Sequence, residues 1–315
     1  MKWGEKPYYS LDYHLKQRYG GKIYKVALDG GFTCPNRDGT LGVGGCIFCS
    51  GGSGEFAGDR KLSIGEQIDR GITGLTKFKA KGYIAYYQAY TNTYGAIPYL
   101  KRVYDPAFSH PQITAVSIAT RPDCVSEEVA DLLAEYSQRK DVWVELGLQT
   151  IHQKTAELIR RGYTLSCFEE AVRCLRKRGL EVIVHVILGL PGESTEDMLE
   201  TISYLNSIDI QGIKLQLLHV IEETDLAGYY QAGGFRVLTM EEYVDLVCLC
   251  IGHLSEEIVV HRITGDGPST KLIAPLWSKN KLQVLNSIHH RMKEQKIYQG
   301  CLRGDRYGIG TVDII

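Results

Sequence analysis

At 315 residues, 44% hydrophobic and 23% charged, the chain has ordinary globular composition and enough length to bury a substantial core without staples, as one large domain or as one domain with a small appendage. Its net charge of −1 singles out no class of partner. No apolar signal stretch opens the sequence and no apolar run approaches membrane-spanning length, so the expectation is a soluble, cytosolic protein with no membrane partner. In that reducing compartment its nine cysteines are expected as metal ligands or thiols, not disulfides.

From about Lys22 to Leu218, short β-rich runs alternate with helical patterns. The first strand is expected at Ile23–Leu28 and leads directly into a loop carrying Cys34, Cys46 and Cys49. Further strands are expected at Tyr83–Ala89, Ala115–Ala119, Val142–Leu148, Val182–Leu188 and Ile213–Leu218; several are almost continuously apolar, as strands covered on both faces are. Ser126 is placed to cap a helix with Glu127 and Glu128 in its first turn and Val129, Leu132, Leu133 and Tyr136 on its apolar face. A second helix presents Phe168, Ala171, Val172 and Leu175, with Gly179 as its stop. A third begins at Ser194 or Thr195, with Glu196 and Asp197 near its positive end and Leu199, Ile202 and Leu205 turned inward.

Six strands alternating with helices imply a parallel sheet with right-handed crossovers, either open or curled into a partial barrel. After Leu218 the rhythm changes. A helix over Met240–Leu254, a strand at Ile258–Ile263, a Gly265-Asp-Gly-Pro turn and a basic helix near Asn280–Gln295 make a small α+β extension. The expected division is therefore a core over residues 1–235 and an extension over residues 236–315.

The cysteine spacing, Cys-x11-Cys-x2-Cys, falls in a glycine-rich loop at the carboxyl end of the first strand, the end at which parallel α/β folds bind ligands. Three thiolates without a fourth nearby point to an iron–sulfur cluster with one iron left open. Structural zinc normally takes four protein ligands, so it would need a distant fourth group. Three unrelated thiols are the remaining reading, although this loop offers no strand or helix core for them to pack into. Cys167, Cys174, Cys248 and Cys250 lie on expected helices and are read as packing residues.

With Phe48 directly before Cys49, this loop resembles the signature of the radical S-adenosylmethionine (SAM) enzymes. The usual first gap there is three residues, and the long gap resembles that of the subgroup related to the elongator catalytic subunit. The resemblance is strongest to the bacterial YtqA/YhcC branch. Ser117-Ile-Ala-Thr-Arg-Pro-Asp123, Glu145-Leu-Gly-Leu-Gln-Thr150, Arg160-Arg-Gly-Tyr163 and His185-Val-Ile-Leu-Gly-Leu-Pro-Gly-Glu-Ser194 resemble further motifs of that subgroup in order and spacing.

The resemblance implies a partial (β/α)6 barrel of the TIM type in which Cys34, Cys46 and Cys49 hold a [4Fe–4S] cluster and SAM occupies its open iron. One electron from the cluster then cleaves SAM to a 5′-deoxyadenosyl radical that removes a substrate hydrogen atom. Gln149, Arg161 and His185 are implied SAM contacts. Tyr90, Thr91 and Asn92 stand where many relatives carry Gly-Gly-Glu for the SAM amino group, and either replace it or form an ordinary polar turn. Glu145 is read equally as a ligand contact or as part of a buried charge pair.

The implied substrate is tRNA, with conversion of a 5-carboxymethylaminomethyl group on wobble uridine (2-thiolated or not) to 5-aminomethyl, and the implied electron source is a flavodoxin or ferredoxin. Arg121, Lys279, Lys281 and Arg291 are candidate RNA contacts in or near a basic, aromatic-interleaved C-terminal region that extends to Arg306. The competing readings are a radical enzyme acting on a small molecule such as a porphyrin precursor, and a non-catalytic metal-cluster RNA-binding protein.

Overall fold

The computed structural model describes residues 2–50, 58–265 and 267–304; the tail of the glycine-rich loop after Ser50, Asp266 of the expected turn and Arg306 lie outside them. Its strands are β1 (Ile23–Leu28), β2 (Gly82–Tyr87), β3 (Ile113–Thr120), β4 (Asp141–Gln149), β5 (Glu181–Leu188), β6 (Gly212–Leu217), the short β7 (Val220–Ile221), β8 (Val259–Arg262) and β9 (Leu272–Ala274). The helices are α1 (Leu11–Tyr19), α2 (Ile64–Gly74), α3 (Ile97–Ser109), α4 (Glu127–Ser137), α5 (Gln153–Leu158), α6 (Leu165–Arg176), α7 (Thr195–Leu205), α8 (Asp225–Gln231), α9 (Met240–His253) and α10 (Lys281–Glu294).

One parallel sheet runs in the order β1-β2-β3-β4-β5-β6-β8, and β7 pairs antiparallel with β9 outside it. The strand from the C-terminal part of the chain thus adds a seventh member to the six expected, through Gly212↔Val259 and Ile213↔Val260. Val259 and Val260 are buried, as the apolar character of that run requires.

The sheet is curled, and side-chain reach shows it. Lys214 on β6 places its Nζ 3.0 Å from the hydroxyl of Tyr86 on β2. Four strand steps in a flat sheet would separate those backbones by about 19 Å, too far for the pair to meet. The inner face is therefore the lumen of a half-barrel. At its N-terminal end Ile23, Ile84, Ala115, Trp143 and Ile183 pack with Leu15 of α1 into an apolar plug. The segment before α1 pairs with the far edge, since the Val260 amide donates to the Tyr9 carbonyl at 2.8 Å. Helix α1 then crosses beneath the lumen to reach β1.

The helix ends follow their local chemistry. Ser126 Oγ accepts from the Val129 amide at 3.2 Å to start α4. Of the two candidates for the start of α7, Ser194 is the cap, and it forms a reciprocal capping box with Asp197. Phe168, Ala171, Val172 and Leu175 are the buried face of α6. Three residues past its last turn, Gly179 takes φ +75°, the left-handed geometry in which glycine carries no steric penalty. Helices α9 and α10 lie within a residue of their expected bounds, with Asn280 capping α10.

Replacing the fully buried Ile84 of the plug with alanine is expected to cost ~2–5 kcal/mol in urea unfolding, because the helix and five strands around it close only partly on the space left. A loss below ~1 kcal/mol would mean that the plug adapts and does not set the lumen floor.

Candidate active site

Successive inward positions along the strands change character from floor to mouth. Above the apolar plug comes a polar layer: Lys25 of β1, Tyr86 of β2, Ser117 of β3, Glu145 of β4, His185 of β5 and Lys214 of β6. Above that, Ala27, Gln88, Ala119, Gly147 and Gln216 line a cavity of about 750 Å³, within the range of small-molecule sites.

Glu145 is the hub of the polar layer and is fully buried. Its Oε1 accepts from Ser117 Oγ at 2.7 Å and from Lys25 Nζ at 3.3 Å. Its Oε2 accepts from His185 Nε2 at 2.7 Å and from Lys214 Nζ. Burial alone would raise the Glu145 carboxyl; Lys214, Lys25 and His185 outweigh it and hold it well below the usual range. Burial and then the Lys214 charge lower His185 to about 4, with Glu145 opposing them. The imidazole is therefore neutral, and since a carboxylate only accepts, its proton sits on Nε2. Burial lowers Lys214 to about 7, with Glu145 pulling it back up and Lys25 and Arg262 adding to the fall.

The cysteine loop closes the mouth. The Arg37 and Asp38 amides both donate to the Cys34 carbonyl, at 2.8 and 3.1 Å, and the Cys49 amide donates to the Cys46 carbonyl at 3.0 Å. Gly44 and Gly45 take φ +87° and +85° immediately before Cys46, and a Cβ on Gly45 would lie 2.7 Å from Arg37 Cγ. Between Cys46 and Cys49, Ile47 is buried in a second apolar cluster with Ile159, Leu218 and Leu226. Its amide donates to the Ile159 carbonyl at 3.1 Å, and its carbonyl accepts from the Leu226 amide at 2.9 Å. Asn36 ties the loop to the segment after α5 through Arg160 O at 2.7 Å and approaches Cys46 Sγ at 3.7 Å.

Cys34, Cys46 and Cys49 all line the cavity. Burial pushes the Cys46 thiol up to about 11, Cys49 and Cys34 add to the rise, and Arg121 opposes it. Such a trio of thiols loses its protons when a cation joins it. Among the described residues, three metal-type donors within 4.8 Å of one another occur at His152, Asp197 and Glu200 only, so the three sulfurs are spread wider than that. Thiolates on one zinc ion would lie about 3.8 Å apart at zinc–sulfur distances of about 2.3 Å. The donor set and its spread suit a cluster with an open iron better than a single ion.

The other expected site residues divide. Tyr90, Thr91, Gln149, Arg161, His185 and Arg121 line the cavity; Asn92, Lys279, Lys281 and Arg291 do not. Tyr90 and Gln149 hold φ of 60° and 68°, left-handed geometry unusual outside glycine that is typical of functional turns. Gln149 Oε1 is buried with no hydrogen-bond partner among the described residues, an acceptor suited to a ligand donor.

Arg161, an implied SAM contact, faces inward, but its guanidinium is occupied by the chain itself. It donates to Leu148 O at 2.9 Å, Thr150 O at 2.6 Å and Tyr163 O at 2.9 and 3.1 Å. Asn92 is fully buried, its amide donating to Ala119 O at 2.8 Å and Tyr87 O at 3.3 Å, so it clasps the ends of β2 and β3. Arg121 makes a two-pronged pair with Asp123 at 2.9 and 2.6 Å and donates to Arg161 O at 3.0 Å. Arg291 is paired with Asp245, with Glu241 at 3.7 Å; Lys279, before the Asn280 cap, and Lys281, the first residue of α10, are exposed. Of the turn Gly189-Leu-Pro-Gly192, Gly189 packs against Leu238 and stays off the cavity wall.

Lys25, Tyr86, Ser117, Lys214, His261 and Arg262 were not anticipated. The signal was present for the lysines: each is the one charged residue of its strand and sits at an inward position, Ile-Tyr-Lys-Val-Ala-Leu in β1 and Gly-Ile-Lys-Leu-Gln-Leu in β6.

Comparison with known proteins agrees with this geometry. The family model described as the Radical SAM superfamily matches residues 34–205, and that of the Radical SAM C-terminal domain matches residues 210–294. The uncharacterized protein YtqA of Bacillus subtilis is 45% identical over 94% of this chain and 92% of its own length. A tRNA uridine(34) acetyltransferase of Methanocaldococcus jannaschii is 23% identical over 82% of this chain and 55% of its own length. The solved structure of archaeal Methanocaldococcus infernus Elp3, lacking its N-terminus, superposes with a TM-score of 0.68 at 20% identity, covering 89% of this chain and 65% of that one; at this identity the likeness is one of fold.

His185 is expected to stay neutral at pH 5.5, read from its imidazole NMR shifts; an imidazolium at that pH would overturn the buried-neutral assignment. Because its folded pKa is depressed, its contribution is complete above the unfolded value near 6.5 and is lost as pH falls toward about 4. Urea midpoints should therefore fall from pH 7 to pH 4.5, and His185→Gln should flatten that slope.

Proposed function

Given that the chain belongs to the radical SAM superfamily, whose enzymes use a [4Fe–4S] cluster and SAM, we propose that it modifies the wobble uridine of tRNA, converting 5-carboxymethylaminomethyl-(2-thio)uridine to its 5-aminomethyl form. The observation that carries the enzyme reading is the juxtaposition of Cys34, Cys46 and Cys49 with one deep cavity. The tRNA reading is supported by similarity to a protein named for acting on uridine 34.

In this reading Cys34, Cys46 and Cys49 hold the cluster, which with SAM supplies hydrogen-atom abstraction when bound. Tyr90, Thr91, Gln149 and His185 line the space for SAM, with Gln149 Oε1 open to a donor. Arg161 and Asn92 position that wall from behind through the backbone carbonyls they bind. The apolar plug beneath the polar layer keeps water from entering through the floor. Residues 1–235 carry the cysteines and six strands of the catalytic core, and residues 236–315 add β8 to its sheet and bring Lys279 and Lys281 toward the RNA backbone. A flavodoxin or ferredoxin delivers the electron, in the cytoplasm.

Anaerobic reconstitution tests the enzyme reading. The wild type should take up iron and sulfide and release 5′-deoxyadenosine under reductant, and Cys34→Ala, Cys46→Ala and Cys49→Ala should each lose both properties while remaining folded. Nucleoside mass spectrometry of tRNA from a strain lacking the gene tests the substrate. The carboxymethylaminomethyl nucleoside should accumulate at the expense of the aminomethyl form. An unchanged wobble profile would sink the substrate assignment, and a small-molecule substrate would then be the better account.

A further inference from the structure

The polar layer holds more positive charge than its own acid balances. Lys25 Nζ and Lys214 Nζ divide a single carboxylate, one on each oxygen of Glu145. Glu145 is the one acidic residue among the described residues lining the cavity. Both side chains also reach the same ring, their Nζ atoms lying 4.7 and 4.5 Å from the centroid of Tyr86. Other cations of the wall have partners elsewhere: Arg121 in Asp123 and Lys271 in Glu223. Arg262, which has a partner of its own, stands in register with Lys214 and acts on it as a like charge. The histidines that face this cluster, His185 and His261, are both held neutral, by burial first and by lysine charge as well.

Two lysines sharing one carboxylate in a poorly hydrated site are costly to keep as two ammonium groups unless a further anion joins them. A cavity wall that keeps such an imbalance is built to receive that anion. Its depth separates it from the cysteine end: Lys25 sits one inward layer below Ala27, and the cysteine loop begins only after β1 has ended. An anion here enters first, with the rest of its molecule extending toward the mouth.

We propose that Lys25 and Lys214 form a recognition site for a carboxylate on the substrate, and that this pair selects an acid-terminated substrate over a neutral one. The inference rests on the wobble-uridine reading, in which the group that enters the lumen ends in a carboxylate. It adds to that reading a site, a direction of entry and a reason for specificity. The base then stays near the mouth, and the RNA backbone remains outside. A second carboxylate would give the two lysines that now divide Glu145 a further anion to pair with. Lys25 is the better probe of the two, because its side chain is 27% exposed where that of Lys214 is 4% exposed.

The test uses reconstituted holoenzyme and an anticodon hairpin carrying either the carboxymethylaminomethyl uridine or its methyl ester. The wild type should prefer the acid by on the order of 100-fold in kcat/KM, as expected where a site's charged groups are left unmatched by the analogue. Lys25→Gln should reduce that preference to within about tenfold, chiefly through KM for the acid. Lys214→Met, in which Glu145 keeps Lys25 and His185 as partners, should do the same. Equal losses on both hairpins, with the ratio kept, would overturn the proposal.

A binding arm decides the matter even if the wild type converts neither hairpin, a result that would itself remove the wobble-uridine reading. Acetate should shift the His185 imidazole resonances saturably in the wild type and not in Lys25→Gln, with inorganic phosphate weaker than acetate. No saturable acetate response, or one equal in the variant, would overturn the carboxylate site. A stronger response to phosphate would overturn the choice of carboxylate as its ligand.

Discussion

One buried carboxylate organises the interior of this half-barrel. Glu145 receives groups from β1, β3, β5 and β6 while sitting on β4, so five strands share a single charged centre. An isolated carboxylate there would take up a proton; surrounded by two ammonium groups, a hydroxyl and an imidazole it stays ionised. The pairings in turn require curvature, because Lys214 and Tyr86 meet only if β6 and β2 face each other across a lumen. Backbone hydrogen bonds alone allow an open sheet as readily as a curled one. The charged layer, with the apolar plug below it, belongs to the curled form.

The mouth is held by a different principle. Cys34, Cys46 and Cys49 stand on a loop with little regular structure, and its position comes from what it is fastened to. Ile47 anchors it in the second apolar cluster, and Asn36 joins it to the segment that carries Arg160 and Arg161. Arg161 fixes that segment against the end of β4 with all three guanidinium nitrogens. Cysteine loop, Arg-Arg-Gly-Tyr segment and the Gln149 turn are therefore one mechanical unit around the cavity rim. The left-handed backbone at Tyr90 and Gln149 belongs to this rim, where a local cost is tolerated because the surroundings over-determine the turn.

This arrangement also explains which expected residues reach the cavity. Arginine carries five donors, and a buried one must satisfy them from whatever is near. Arg121 and Arg161 do so with Asp123 and backbone carbonyls, which makes them builders of the wall before they are anything else. Asn92 has a similar place between two strand ends. Sequence motifs mark such positions strongly, because a structural clamp and a ligand contact leave the same trace when only residue identity is visible.

Much of the fold was legible in the linear chain. Strand periodicity, the caps at Ser126 and Ser194 and the apolar faces of α4, α6 and α7 are local matters of backbone hydrogen bonding and side-chain spacing, and each was found where expected. The three cysteines were legible too, since donor type and spacing are written directly in the residues. Three things were left to tertiary structure: that a strand past residue 258 joins the main sheet, that the sheet curls, and that Lys25 and Lys214 share Glu145. None of these is local. Lys25 and Glu145 are 120 residues apart, and Lys214 is another 69 beyond Glu145. A lysine in an apolar strand announces only that it needs an anion; which anion it meets is decided when distant strands close around one lumen.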